Sequence, residues 1–118
     1  MIHDPGLERL GRESLRELQE QRLSAIVRYV YERIGPYRER FDAAGVRPDQ
    51  IRSLDDLRRL PFTRKSDLRD HYPFGLFAVP REEVVRIHGS SGTTGKPTVV
   101  GYTRADIELF AEVCARSR

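Results

Sequence analysis

The sequence predicts an α/β protein in which a bundle of short helices precedes the first β-hairpin and helix of a larger, incomplete α/β domain. Apolar residues recur at helical spacing as far as about residue 72. Two short runs rich in β-branched residues then flank a glycine-rich stretch, and a second helical pattern follows them. We therefore divide the chain into an N-terminal helical region at 1–72 and the start of an α/β domain at 73–118.

The first long helix is expected to begin at Ser14, because Glu17 three residues later completes a capping box. The pair Gly35-Pro36 is expected to end it, since proline disfavours helical geometry in the residue before it. Its buried face is expected to contain Leu15, Leu18, Ile26, Val27, Val30 and Ile34.

Two shorter helices are expected next. The first covers residues 37–44 and takes Gly45 as its C-terminal cap. The second begins with a capping box of Ser53 and Asp56 and stops at Pro61. Its inner side is expected to hold Leu54, Leu57 and Leu60.

One or two further helical turns are expected to begin at Thr63 or Ser66 and to reach Asp70. The pattern then changes to two strands, over Val84–His88 and Thr98–Tyr102. These strands flank the glycine-rich stretch, so the sequence places that stretch in the loop of a hairpin.

A last helix is expected to begin at a capping box formed by Thr103 and Asp106. Its apolar residues fall on one face that we expect to be buried, namely Ile107, Phe110, Ala111 and Cys114. The pattern reaches Arg118 without a cap, and two strands and one helix cannot close a sheet core. We therefore expect the sequence to be the N-terminal piece of something longer.

The composition argues against nucleic-acid binding, insertion into a membrane and secretion. The formal net charge is +3, but arginines alternate with acidic residues, as in RESLRELQEQR, which is typical of solvated helix faces. No apolar run is long enough to cross a bilayer, and no secretory signal is visible. The single cysteine, Cys114, fits a reducing compartment. These observations predict a cytoplasmic protein without a nucleic-acid or membrane partner.

The hairpin loop at 89–97, GSSGTTGKP, has the chemistry of a polyanion site. Glycines allow successive backbone N–H groups to point into one concavity, and hydroxyl groups and a lysine add further donors. The candidate phosphate-binding residues are Ser90, Ser91, Gly92, Thr93, Thr94, Gly95 and Lys96. The alternative is an ordinary loop between two strands, since glycine, serine and threonine are common in turns.

Two familiar phosphate-binding patterns do not fit this loop. A Walker A motif needs glycine where Ser90 stands and a hydroxyl residue where Pro97 follows Lys96. The dinucleotide fingerprint G-x-G-x-x-G also fails, because Ser90 occupies the position of its first glycine. If the loop binds phosphate, it therefore does so with a different sequence motif.

The stretch SSGTTGKPTVVGYT resembles the phosphate-loop motif of the acyl-adenylate-forming superfamily, and the wider chain resembles the phenylacetate-CoA ligases. The resemblance runs from about Leu15 to the end and includes LQEQRL, FDAAGV, DDLRRLPFTRKSDLRD, YPFGLFAVP and RIHGSSGTTGKPTVVGYT. It implies an adenylate-forming α/β domain and a two-step reaction. ATP and an arylacetic acid would form an acyl-adenylate and pyrophosphate, and coenzyme A would then displace AMP.

The same resemblance implies that the loop holds the β- and γ-phosphates of ATP, with Mg²⁺ used by the complete enzyme. The family's other motifs lie downstream of Arg118. We therefore assign no catalytic and no metal-binding residue within this sequence, and expect the fragment alone to be inactive.

Several alternatives stay open at this stage. His88 is expected to support the loop from the end of a strand, the other option being that it lines a pocket. Tyr72, Phe74 and Phe77 are expected to pack the helical region onto the sheet, although such rings could also cover an aryl substrate. A non-catalytic helical interaction module is the alternative function, and nucleic-acid binding, suggested by the basic net charge, is a third. Self-association as a homodimer is left open.

Overall fold

The computed structural model describes residues 3–91, 95 and 97–117. Its helices are α1 (Pro5–Glu8), α2 (Arg12–Arg33), α3 (Gly35–Ala43), α4 (Lys65–Asp70) and α5 (Arg104–Arg116), and its strands are β1 (Val84–Ser90) and β2 (Thr98–Thr103). Short 3₁₀ turns lie at Pro48–Gln50, Leu54–Arg59 and Arg81–Glu83. The predicted order of helices, hairpin and helix is confirmed. Within the described part of the chain, no helix is both long and apolar enough to cross a membrane.

Helix α2 has 22 residues and is the exception to the expectation of short helices. It begins at Arg12, so the predicted start at Ser14 is wrong. The backbone N–H of Leu15 already donates to the carbonyl of Gly11 at 2.9 Å, which places Ser14 inside the first turn. The predicted end is confirmed, because Ile34 caps the helix directly before Gly35-Pro36.

A small hydrophobic core forms between α2, α3 and the segment that follows them. Its buried members are Val27, Phe41, Val46 and Ile51, and the partly buried residues around them are Leu23, Val30, Tyr31, Tyr37 and Leu60. Ile51 is fully buried, with no exposed surface. This cluster joins parts of the helical region from Leu23 to Leu60.

Three residues of the helical region that were predicted to face inward are exposed instead. Leu15 is 42% exposed, Ile26 is 52% exposed and Leu57 is 49% exposed. On α2 the inward stripe runs through Leu23 and Val27, and Ile26 is rotated about 100° from Val27 around the helix axis. Leu57 lies on a 3₁₀ turn at the surface.

Local caps were predicted with mixed success. Gly45 has φ of 65° and ends α3 as expected, since a left-handed residue there favours glycine. The Ser53–Asp56 box forms, with the Ser53 N–H donating to the Asp56 carboxylate at 3.0 Å. Helix α4 instead starts after Arg64, so both Thr63 and Ser66 were wrong as starting residues. The Asp67 carboxylate accepts from the Arg64 N–H and supplies that cap.

An ion pair joins α3 to α4. The Arg40 guanidinium donates two hydrogen bonds to the Asp67 carboxylate, at 2.7 and 2.8 Å. A third donor hydrogen bond from Arg40 reaches the Phe62 carbonyl at 3.0 Å. Hydrogen bonds from the Arg40 guanidinium, and then from the Arg64 backbone N–H, hold the pKa of Asp67 well below its ordinary value.

The lowered pKa predicts how acid affects folding. Because the folded-state pKa of Asp67 lies below its unfolded value of about 3.9, its stabilising contribution is complete above about pH 4 and is lost as the pH falls further. We expect Asp67→Asn to lower the Tm by several degrees at pH 7 and to flatten the decline below pH 4. Thermal unfolding followed across pH 2–7 measures both effects.

Asp70→Asn is the matched control, since Asp70 lies on the same helix and its side chain is exposed. Its Tm profile against pH is expected to follow that of the parent chain. Equal Tm losses for the two variants would contradict the assignment of a structural ion pair to Asp67.

Helix α5 begins as predicted but is not buried as predicted. Thr103 accepts from the Asp106 N–H at 3.2 Å, and the Asp106 carboxylate accepts from the Thr103 N–H at 2.8 Å. Ile107 is half-buried, but Phe110 is 54% exposed and Ala111 and Cys114 are also exposed. The prediction of Cys114 as a core residue is therefore wrong, because a two-stranded sheet is too small to cover this helix face.

Candidate functional site

The candidate site is the loop that connects the two strands. β1 and β2 pair in antiparallel register, and the last pair before the loop is Ser90 with Thr98. Of the predicted site residues, Ser90 ends β1, while Ser91 and Gly95 lie in the loop itself. The others, Gly92, Thr93, Thr94 and Lys96, lie outside the described residues, so their roles stay predictions.

A hydroxyl pair closes the mouth of this loop. The side chains of Ser90 and Thr98 hydrogen-bond across the two strands, and the Thr98 N–H donates to Ser90 Oγ at 3.4 Å. Thr98 is 8% exposed, whereas Ser90 is exposed. Sequence reasoning missed Thr98, although a hydroxyl residue at the end of each strand was the signal that could have found it.

Gly95 gives the loop a conformation that other residues rarely adopt. Its φ is 102°, in the region that glycine enters without a steric penalty. Ser91, Gly95 and Pro97 are all exposed. The described part of the loop is therefore open to solvent, as binding of a soluble anion requires.

An aromatic ring from the segment that precedes β1 packs against the hairpin. Phe77 lies directly on Gly101 of β2, where an added Cβ atom would come within 2.5 Å of the ring. Phe74 packs beside Phe77 with ring centroids 5.2 Å apart. The predicted packing of this segment onto the sheet is confirmed for Phe77, while Tyr72 is 40% exposed. Phe77 therefore packs against β2, the strand that follows the loop.

His88 lies in β1, two residues before the end of that strand. Its ring packs on Tyr102 of β2, with centroids 4.8 Å apart and planes inclined by 56°. The imidazole is exposed. This cross-strand pair braces the hairpin, but β1 continues to Ser90, so His88 does not end the strand as predicted, and its support of the loop stays a prediction.

Metal binding by the chain's own side chains has no support in the described residues. Across residues 3–91, 95 and 97–117, no three His, Cys, Asp or Glu side chains come together as a set of metal ligands. What the described site offers is a hydroxyl pair, an exposed glycine-containing loop and a braced hairpin. Such a site can position an anion, but it shows no acid, base or nucleophile arranged for covalent chemistry.

The sequence of the chain is similar to those of known CoA ligases. The chain is 67% identical over 117 residues to phenylacetate-coenzyme A ligase of Thermus thermophilus, covering 99% of the chain and 26% of that protein. It is 58% identical over 114 residues to phenylacetate-coenzyme A ligase of Escherichia coli, covering 97% of the chain and 26% of that protein. No family model matches the chain. The chain therefore spans about a quarter of the length of the curated relatives that it matches.

Solved structures agree with the sequence comparisons. The fold matches a 2-hydroxyisobutyryl-CoA ligase in complex with 2-HIB-AMP and CoA in the thioesterification state, with a TM-score of 0.84 and 36% identity. The match covers 91% of this chain and 24% of that one. An open conformation of the same ligase matches with a TM-score of 0.81 and 34% identity. In sequence the chain therefore matches about a quarter of the phenylacetate-CoA ligases, and in fold it matches the N-terminal portion of a larger AMP-forming CoA ligase.

Proposed function

We propose that this chain is the N-terminal part of an ATP-dependent, AMP-forming ligase that converts an arylacetic acid, with phenylacetate as the first candidate, into its CoA thioester. Sequence identity of 67% and 58% to two phenylacetate-CoA ligases is the observation that carries the proposal. The chain alone is expected to be inactive, since it corresponds to about a quarter of those proteins.

The loop at 89–97 would bind the phosphates of ATP. During adenylation the carboxylate of the acid attacks the α-phosphorus, and negative charge grows on the departing pyrophosphate. Backbone N–H groups, hydroxyl groups and Lys96 would hold the β- and γ-phosphate oxygens and offset that charge. This role needs donors in a fixed loop and no covalent chemistry, which agrees with the groups found around Ser90 and Thr98.

Exposed apolar surfaces support a position within a longer polypeptide. On α5, Leu109 is 62% exposed and Val113 is 53% exposed. On β1, Val85 and Ile87 are each 53% exposed. Apolar faces of this kind usually lie against other protein, and the additional length of the relatives is the partner that we propose for them.

The proposal extends to the reaction's other components. CoA is the proposed second substrate, because the relatives are coenzyme A ligases and the matching 2-hydroxyisobutyryl-CoA ligase structure contains CoA. Mg²⁺ would accompany the phosphates of ATP, as the resemblance to the ligase family implies for the complete enzyme. We place the protein in the cytoplasm, where ATP, CoA and the reduced state expected of Cys114 occur together.

The test is synthesis of a CoA thioester by the full-length protein across a panel of aryl acids. We expect phenylacetate or a close analogue, with ATP and CoA, to yield the thioester together with AMP and pyrophosphate. Formation of ADP and phosphate, or no turnover with any acid in the panel, would rule out the proposed reaction. Omitting CoA is the internal control, since exchange between ATP and pyrophosphate is expected to persist without it.

A further inference from the structure

One buried polar residue lies beside the candidate loop and was not among its predicted binding residues. Thr98 is 8% exposed and is the buried polar residue of the described part of the chain. Polar side chains are buried when their hydrogen bonds are made inside the protein, and the partner of Thr98 is the Ser90 hydroxyl. Thr98 therefore contacts a residue of the proposed phosphate site while being shielded from solvent itself.

The contact with Thr98 limits which hydrogen bonds the Ser90 hydroxyl can still make. A serine hydroxyl donates one hydrogen bond and accepts two. The Thr98 N–H donates to Ser90 Oγ at 3.4 Å, and the Thr98 hydroxyl can donate to the same atom. Either hydroxyl can be the donor of the bond between Ser90 and Thr98; when the Thr98 hydroxyl donates, both acceptor positions of Ser90 are filled from Thr98 and the Ser90 hydrogen is left to point away from the strand pair. Ser90 is exposed, so that hydrogen can reach a ligand.

We propose that Thr98 is a positioning residue for nucleotide binding: it fixes the Ser90 hydroxyl at the mouth of the loop and directs its hydrogen toward a phosphate oxygen. This inference rests on the proposed function, because it assumes that the loop binds the phosphates of ATP. The register supports it, since Ser90 and Thr98 form the last strand pair before the loop. A donor anchored there has little freedom left to lose when ATP binds.

The test uses Thr98→Val and Thr98→Ser in the full-length protein. Valine keeps the shape and strand preference of threonine but removes the hydroxyl, whereas serine retains it. We expect Thr98→Val to raise the KM for ATP about 3- to 10-fold in ATP–pyrophosphate exchange, the effect of one neutral hydrogen bond, with a smaller change in kcat. Thr98→Ser is expected to restore most of the affinity.

A double-variant comparison identifies the route of the effect. Ser90→Ala removes the donor itself and is expected to raise the KM for ATP at least as much as Thr98→Val. In the Ser90→Ala background, Thr98→Val should raise the KM for ATP little further, because the Ser90 hydroxyl through which Thr98 acts on the phosphate is already absent. Thr63→Val, the same change at an exposed residue of the helical region, is the control and should leave the KM unchanged.

The outcomes separate this inference from the proposed function. An unchanged KM for ATP in Thr98→Val, or a fall in kcat alone, would show that Thr98 only holds the hairpin together and would overturn the inference. Additive effects of Thr98→Val and Ser90→Ala would also overturn it. If Thr98→Val does not fold, Ser90→Ala decides: a normal KM for ATP overturns the inference. Normal pyrophosphate exchange in both Lys96→Ala and Thr94→Val would instead defeat the phosphate role of the whole loop.

Discussion

Replacing Lys96 with alanine in the full-length protein is expected to slow adenylation about 100- to 1000-fold, the usual effect of removing one donor that stabilises charge in a transition state. Lys96 stands between Gly95 and Pro97 in the sequence. Its ammonium group is the one full positive charge in the 89–97 segment, so no neighbour in that segment can replace it. Exchange of labelled pyrophosphate into ATP, dependent on the aryl acid, measures this step directly.

The chain provides a matched control for this experiment. Lys65 is its only other lysine and lies at the start of α4, outside the 89–97 segment, with an exposed side chain. Lys65→Ala removes the same charge and is expected to leave exchange unchanged. A normal exchange rate in Lys96→Ala, or an equal loss in both variants, would contradict a specific role of Lys96 at the phosphates.

A second loop variant tests whether the hydroxyl groups contribute as well as the charge. Thr94→Val is expected to slow the same exchange, by less than Lys96→Ala, because a hydroxyl donor carries no net charge. Normal exchange in both loop variants would refute a phosphate-binding role for the segment.

Local signals in the sequence predicted the local structure well. The capping boxes at Ser53 and Thr103 and the left-handed Gly45 were all found where short patterns placed them. Each of these features depends on residues within four positions of one another, so the sequence contains the whole interaction. The wrong start at Ser14 shows that a capping-box pattern alone does not fix where a helix begins. Helix α2 begins at Arg12, before the predicted box of Ser14 and Glu17.

Burial was predicted less well because it depends on distant partners. The spacing of Phe110 and Cys114 describes an apolar face correctly, yet the structure leaves both exposed. A pattern shows that a face is suited to burial but does not supply the surface that covers it. The same limit applies at the loop, where Ser90 was identified by its residue type and Thr98, its partner across the strands, was not.

The largest effect on folding is expected at Ile51, the fully buried centre of the helical core. Ile51→Ala removes methyl and methylene groups that pack against the cluster around Val27 and Phe41 and leaves a cavity in their place. We expect it to lower the free energy of unfolding by about 2–5 kcal/mol, a large share of what a small domain possesses. Urea unfolding of the chain, followed by its far-UV circular dichroism, measures the loss.

Two further variants make this expectation specific to burial. Ile51→Val removes a single methylene group and is expected to cost about 0.5–1.5 kcal/mol, so the two changes at one site should be graded by size. Leu57→Ala, at a position that the leucine spacing assigns to the inner side, is expected to cost well under half of the Ile51→Ala value because Leu57 is 49% exposed. A loss at Leu57 equal to that at Ile51 would mean that the leucine spacing describes the core better than the observed packing does.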